Sequence, residues 1–150
     1  MAGRPPLRGL AVPAFAVASG VLHTVACSRP PPDGTPERAV RLFLDDMDSA
    51  GDDPASMRRA YALLGPSARA NLGERARRTG ELLGRHIEPS EMLATGFFGV
   101  AFRPMSMRST VVGDRAAIEV FGEDPHSEHA SVACVREGLV WRIEPSFPPP

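Results

Sequence analysis

The stretch Ala60-Tyr61-Ala62-Leu63-Leu64-Gly65-Pro66-Ser67-Ala68-Arg69-Ala70-Asn71-Leu72 decides the fold. Its first five residues finish an apolar helical face. Met57, Ala60, Tyr61 and Leu64 recur at i, i+3, i+4 and i+7, while Arg58 and Arg59 point away. Gly65-Pro66 stops that helix, because proline cannot donate to the preceding turn and disfavours the helical region for the residue before it. Ser67 then offers a cap for another helix on a new heading, with an expected face of Ala68, Leu72, Ala76, Thr79, Leu82 and Leu83 and a terminator at Gly84. The small residues in the first half of that face let a neighbour lie close, although Gly73 and Gly80 each cost about 1 kcal/mol against Ala in a helix interior.

Upstream, Thr35-Pro36-Glu37 reads as a helix start: a capping hydroxyl, a proline at the first helical position and an acid near the positive dipole end. Val40, Phe43, Leu44 and Met47 follow at helical spacing, and Gly51 ends the run. Asp53-Pro54 opens the second helix in the same manner. Glu88 to Leu93 is expected to form a short helical turn, and Gly96 to Phe102 a strand or an extended loop over the core. From Met105 the period changes to two. Strands are expected over 105–112, 115–121 and 130–136, with a last one carrying Leu139, Trp141 and Ile143. Gly113-Asp114 and Glu137-Gly138 supply the tight turns. Residues 122–129 make a longer charged loop, and 145–150 an exposed tail without folding content. Helices followed by an antiparallel meander define an α+β domain, with three helices packed on a sheet of about four strands.

At 150 residues the chain holds one core plus extensions. It has 17 basic residues, all Arg, against 18 acidic ones, for a net charge of −1. That balance argues against nucleic acid, which needs a clustered positive face. Arg75, Arg77 and Arg78 alternate with Glu74 and Glu81 and read as a solvated helix surface.

Residues 1–26 differ from the rest. Arg4 and Arg8 come first, no acid appears before Asp33, and Leu10 to Ala26 is almost wholly apolar. That is the make-up of a secretory signal, and the apolar run falls short of the roughly 20 residues a spanning helix needs. Thr24-Val25-Ala26-Cys27-Ser28 resembles a bacterial lipobox, with Thr24 where leucine is usual. The resemblance implies lipidation of Cys27 and export, and Ser28 resembles the pattern of lipoproteins that move on to the outer membrane. Acyl chains at about 0.8 kcal/mol per buried methylene would hold such a chain to the bilayer. Residues 27–34, with Pro30-Pro31-Pro32, read as a stiff spacer, 35–145 as the domain and 146–150 as a disordered tail. Removing residues 1–26 takes away two Arg and no acid, which leaves 15 Arg against 18 acids. A lipidated Cys27 leaves Cys134, in an apolar strand, as a buried structural thiol.

The segments Pro36 to Leu44, Ala60 to Leu64 with Pro66-Ser67-Ala68-Arg69, Gly113 to Ile118 and Arg136 to Ile143 together resemble the nuclear transport factor 2-like superfamily. More narrowly, the chain is similar to the small exported bacterial lipoproteins of that superfamily. The resemblance implies a conical roll, a curved sheet wrapped round the helices with a pocket inside. It also implies two open readings. One is a non-enzymatic domain that holds a small apolar ligand or an envelope protein. The other is a pocket enzyme of the isomerase or dehydratase kind, with a carboxylate or histidine base and a tyrosine donor.

For that second reading the candidates are Glu119 or His86 as base and Tyr61 as donor. Each also has an ordinary explanation: a strand's polar face for Glu119, a helix rim for His86, a buried tyrosine bonded to a backbone carbonyl for Tyr61. His126 and His129, in a loop with Glu123, Asp124 and Glu128, are the candidates for metal ligation, although His-x-x-His in a loop fixes no geometry. No cofactor motif is present in the sequence.

Overall fold

The computed structural model describes residues 31–51, 53–93 and 100–147. The leader, Cys27 and most of the expected segment Gly96 to Phe102 lie outside them. Three helices, α1 (Pro36–Ser49), α2 (Pro54–Ala62) and α3 (Pro66–Leu83), are followed by a 3-10 turn over Pro89–Met92. Four strands complete the order: β1 (Ser106–Val112), β2 (Arg115–Phe121), β3 (His129–Glu137) and β4 (Val140–Ile143). They form one antiparallel sheet in the order β1-β2-β3-β4, so each strand pairs with the next in sequence. The architecture is the expected α+β arrangement of three helices and a four-stranded meander.

Local chemistry places the helix ends. Thr35 caps α1 by accepting from the Arg38 N–H, and Asp53 caps α2 by accepting from the Ala55 N–H at 2.9 Å and from the Ser56 hydroxyl. Each helix carries proline in its first turn. In α3 the expected cap is corrected: Gly65, not Ser67, is the capping position, with no side-chain bond. Pro66 has no N–H to lose and a φ suited to the first helical position, so the helix starts one residue before Ser67 could serve it. Both hairpin turns place glycine first with positive φ, Gly113 at 60° and Gly138 at 63°, as a two-residue hairpin loop with glycine first requires. The second turn is therefore Gly138-Leu139 rather than Glu137-Gly138. Leu139 leaves the strand for the turn, 84% exposed, and Glu137 stays in β3.

The core gathers on one face of the sheet. Ala116, Ile118 and Val120 of β2, Val132 and Cys134 of β3, and Trp141 and Ile143 of β4 are buried with Val40, Phe43 and Met47 of α1. The pairs Ile118↔Val132 and Cys134↔Ile143 keep that row continuous across strands. Of the helices, α1 lies on the sheet, α2 packs beside α1, and α3 chiefly meets the 3-10 turn. This corrects the expected face of α3. Ala68, Leu72 and Ala76 are buried, but Leu82 is 87% and Leu83 60% exposed. Among the described residues the last turns meet the returning chain at Arg85 and Ile87. There the Arg85 carbonyl sits 2.8 Å from where a Cβ on Gly80 would lie.

The free edge of β4 is covered. The Trp141 N–H donates to the Asp33 carbonyl at 2.9 Å, the Ile143 N–H to Leu63 at 2.9 Å, and the Gly65 N–H to Ile143 at 2.7 Å. Leu64, Gly65 and their neighbours thus act as an extra edge segment, which hides an edge open to foreign strands. Asp33, assigned by sequence to the spacer, is packed into the domain and pairs with Arg142. Arg142 in turn lies 3.4 Å from Glu137, which Arg69 of α3 meets at 3.0 Å. The tail is corrected too. Phe147 packs against the core, because its ring is the one large apolar group after β4 and finds cover there.

Candidate functional site

A cleft opens between α1 and the segment that leads into β1. Its volume is about 710 Å³. Phe43, Leu44 and Met47 form one wall, and Val100, Phe102 and Met107 the other. Arg41, Asp45, Asp48 and Arg103 stand along it as charged groups. The helical period that buries Phe43 and Met47 turns Arg41, Asp45 and Asp48 to the rim. The lining mixes apolar side chains with four charged ones, which suits a small molecule or an inserted side chain with an apolar body and a polar end. Asp46, by contrast, faces α2 and binds Arg59 at 2.8 Å.

The sequence-derived candidates lie apart from this cleft, and of them only Glu119 and His129 meet among the described residues. Tyr61 is half-buried on the helix layer, and its hydroxyl donates to the Arg69 carbonyl at 3.4 Å. Glu119 alternates with the buried Ile118 and Val120, so it stands on the opposite face of the sheet. Hydrogen bonds from Ser131 and then His129 hold its carboxyl below the usual range. A general base needs the reverse, a carboxylate raised towards neutral pH. His86 does not continue an inward stripe: its side chain is 80% exposed and meets Glu88 at 2.9 Å. The chain has left α3 by then, and the next residue, Ile87, takes the buried position. No cavity brings Glu119 or His86 together with Tyr61 among the described residues.

His129 opens β3 rather than closing the loop. Its ring stacks on Phe121, centroids 4.9 Å apart and planes 15° from parallel, and its Nε2 meets Glu119. His126 stays in the loop, where Asp124 and Ser127 shape the turn. Among the described residues no three His, Cys, Asp or Glu side chains converge as a metal site would require. Cys134 is buried, and burial followed by the charge of Glu37 pushes its thiol up to about 12. It stays protonated at neutral pH and is no nucleophile.

Sequence reasoning missed the lip of the cleft. Asp45 and Asp48 carry no signal of their own in the sequence, because the partner wall comes from Val100 to Met107, more than fifty residues on and without periodicity. It also passed over Glu144, the last residue before the proline-rich end. Comparison with protein-family models, with curated proteins and with solved structures returns no match.

Proposed function

We propose that the chain is an exported lipoprotein, lipidated at Cys27, whose domain binds a small apolar ligand or an envelope partner without catalysing a reaction. The leader and the lipobox-like residues Thr24 to Ser28 support the address, with the cell envelope, and the periplasmic face of the outer membrane in particular, as the destination. The order of helices and strands supports a nuclear transport factor 2-like roll. The observation that carries the binding reading is the cleft between α1 and Val100–Met107, where Leu44, Phe102 and Met107 offer apolar cover inside a charged rim. The pocket-enzyme alternative has nothing comparable in its favour, since Glu119 and His86 each stand away from Tyr61.

Native mass spectrometry of the full chain purified from its host membranes tests both halves. The expected spectrum shows covalent acyl mass at Cys27 and a non-covalent small molecule or protein that survives desalting. Leu44→Asp, which puts a charge into the half-buried wall of the cleft, should abolish the non-covalent species and keep the acyl mass. Cys27→Ala should remove the acyl mass and release the chain from the membrane fraction. A chain that carries neither species, or turns over a metabolite panel through Glu119, overturns the reading.

A further inference from the structure

A second cleft, of about 470 Å³, lies across the sheet from α1. Its floor follows from strand register. Ala117 pairs with Ala133, and the Glu144 N–H donates to the Ala133 carbonyl at 2.8 Å. Ala117, Ala133 and Glu144 therefore form one row across β2, β3 and the end of β4, on the face that alternation turns away from the core. The next row holds Val112, Arg115 and Val135. Polar side chains are expected on such a face. Instead Ala117, Ala133 and Val135 form an apolar floor, with Val112 75% exposed beside it.

At one end of this floor stands Glu144. Both its carboxylate oxygens are buried and receive no hydrogen bond. They are pressed against Gly65 so closely that a Cβ there would lie 1.7 Å from Oε2. The first turn of α3 overhangs this end through Pro66 and Ser67. Its positive pole eases the charge of Glu144 but leaves it without a donor. Arg142, the nearest cation on the same strand, is committed to Asp33 and Glu137, and Arg115, which also lines the cleft, stands on β2, two strands away from Glu144. A buried carboxylate without donors is complemented by a group that brings several, and a primary ammonium brings three.

We propose that this cleft binds a small molecule with a protonated primary amine on an apolar chain, the Glu144 carboxylate turning out from Gly65 to meet the amine and the chain lying over Ala133 and Ala117. Adjacent strands are about 4.8 Å apart, so the row from Glu144 to Ala117 spans roughly 10 Å, the reach of an amine on four to six carbons. The site is distinct from the cleft beside α1 and does not depend on what that cleft holds.

Calorimetric titration of the full chain with n-pentylammonium, n-pentanol and pentanoate tests the assignment. The ammonium should bind at least tenfold more tightly than the alcohol, and pentanoate should not bind. Glu144→Gln should erase the preference for ammonium over alcohol. Ala133→Leu, which fills the floor and leaves Glu144 in place, should weaken ammonium and alcohol alike by tenfold or more. Absence of ammonium binding, equal binding of ammonium and alcohol, or a preference that survives Glu144→Gln overturns it. So does a Glu144→Gln chain that loses only thermal stability, which would make Glu144 a partner of the α3 terminus and nothing more.

Discussion

Gly73 and Gly80 sit seven residues apart on α3 and meet opposite surroundings. Nothing lies within 4 Å of a Cβ built on Gly73, whereas one on Gly80 meets the Arg85 carbonyl at 2.8 Å. Neither has positive φ, so the difference is one of space alone. Gly73→Ala should therefore raise stability by up to about 1 kcal/mol through helix propensity and a less flexible unfolded chain. Gly80→Ala should lower it, because the backbone after Gly84 must move away. Denaturant unfolding of the two variants, compared at constant m-value, checks the opposite signs. In the sequence both residues read as the same penalty, since propensity says nothing of what returns to pack against the helix.

At the scale of elements, α3 carries its own electrostatics. Glu74 meets Arg77 at 2.7 Å and Arg78 at 2.8 Å, and Arg77 reaches on to Glu81. These hydrogen bonds, Arg77 first and Arg78 second, hold the Glu74 carboxyl at about 2, below its ordinary 4.5. A carboxyl depressed in the folded state stabilises fully above its unfolded value and loses that contribution as pH falls through the folded one. The melting temperature should thus fall as pH drops from 4.5 towards 2, and Glu74→Gln should flatten that limb by lowering stability at pH 7 while changing little near pH 2. Salt should shrink the difference, because these groups are exposed. The elements themselves were legible: Thr35-Pro36, Asp53-Pro54 and the Gly113 and Gly138 turns are local signals. The far end of α3 was not, because Leu82 and Leu83 keep the helical period but run past the sheet that would cover them. The candidate site was less legible still. Glu119 and Tyr61 belong to opposite layers, and a strand's period tells which residues share a face but not which face meets the helices.

At the scale of the whole molecule, four segments converge on Arg142: Asp33 before α1, Glu137 at the end of β3, Arg69 of α3 through Glu137, and β4 itself. The Arg142 and Asp33 side chains are only 18% and 13% exposed, so loss of one partner leaves a charge half out of water. Asp33→Ala should cost about 1–3 kcal/mol. Arg142→Met with Asp33→Ala should cost less than the sum of the two, which a double-mutant cycle in urea would read. The clamp also gives the domain a defined mechanical load path. A pull applied through residue 31 reaches the fold at Asp33 and is carried into β4, β3 and α3 together, rather than unwinding α1 first. Six Cα steps separate Cys27 from Asp33, so if the chain is held at Cys27, as proposed, the attachment stands at most about 22 Å from it. Drag on a molecule so tethered would be borne by the covered edge of the sheet, where the hydrogen bonds that Trp141 and Ile143 donate to Asp33 and Leu63 share the force.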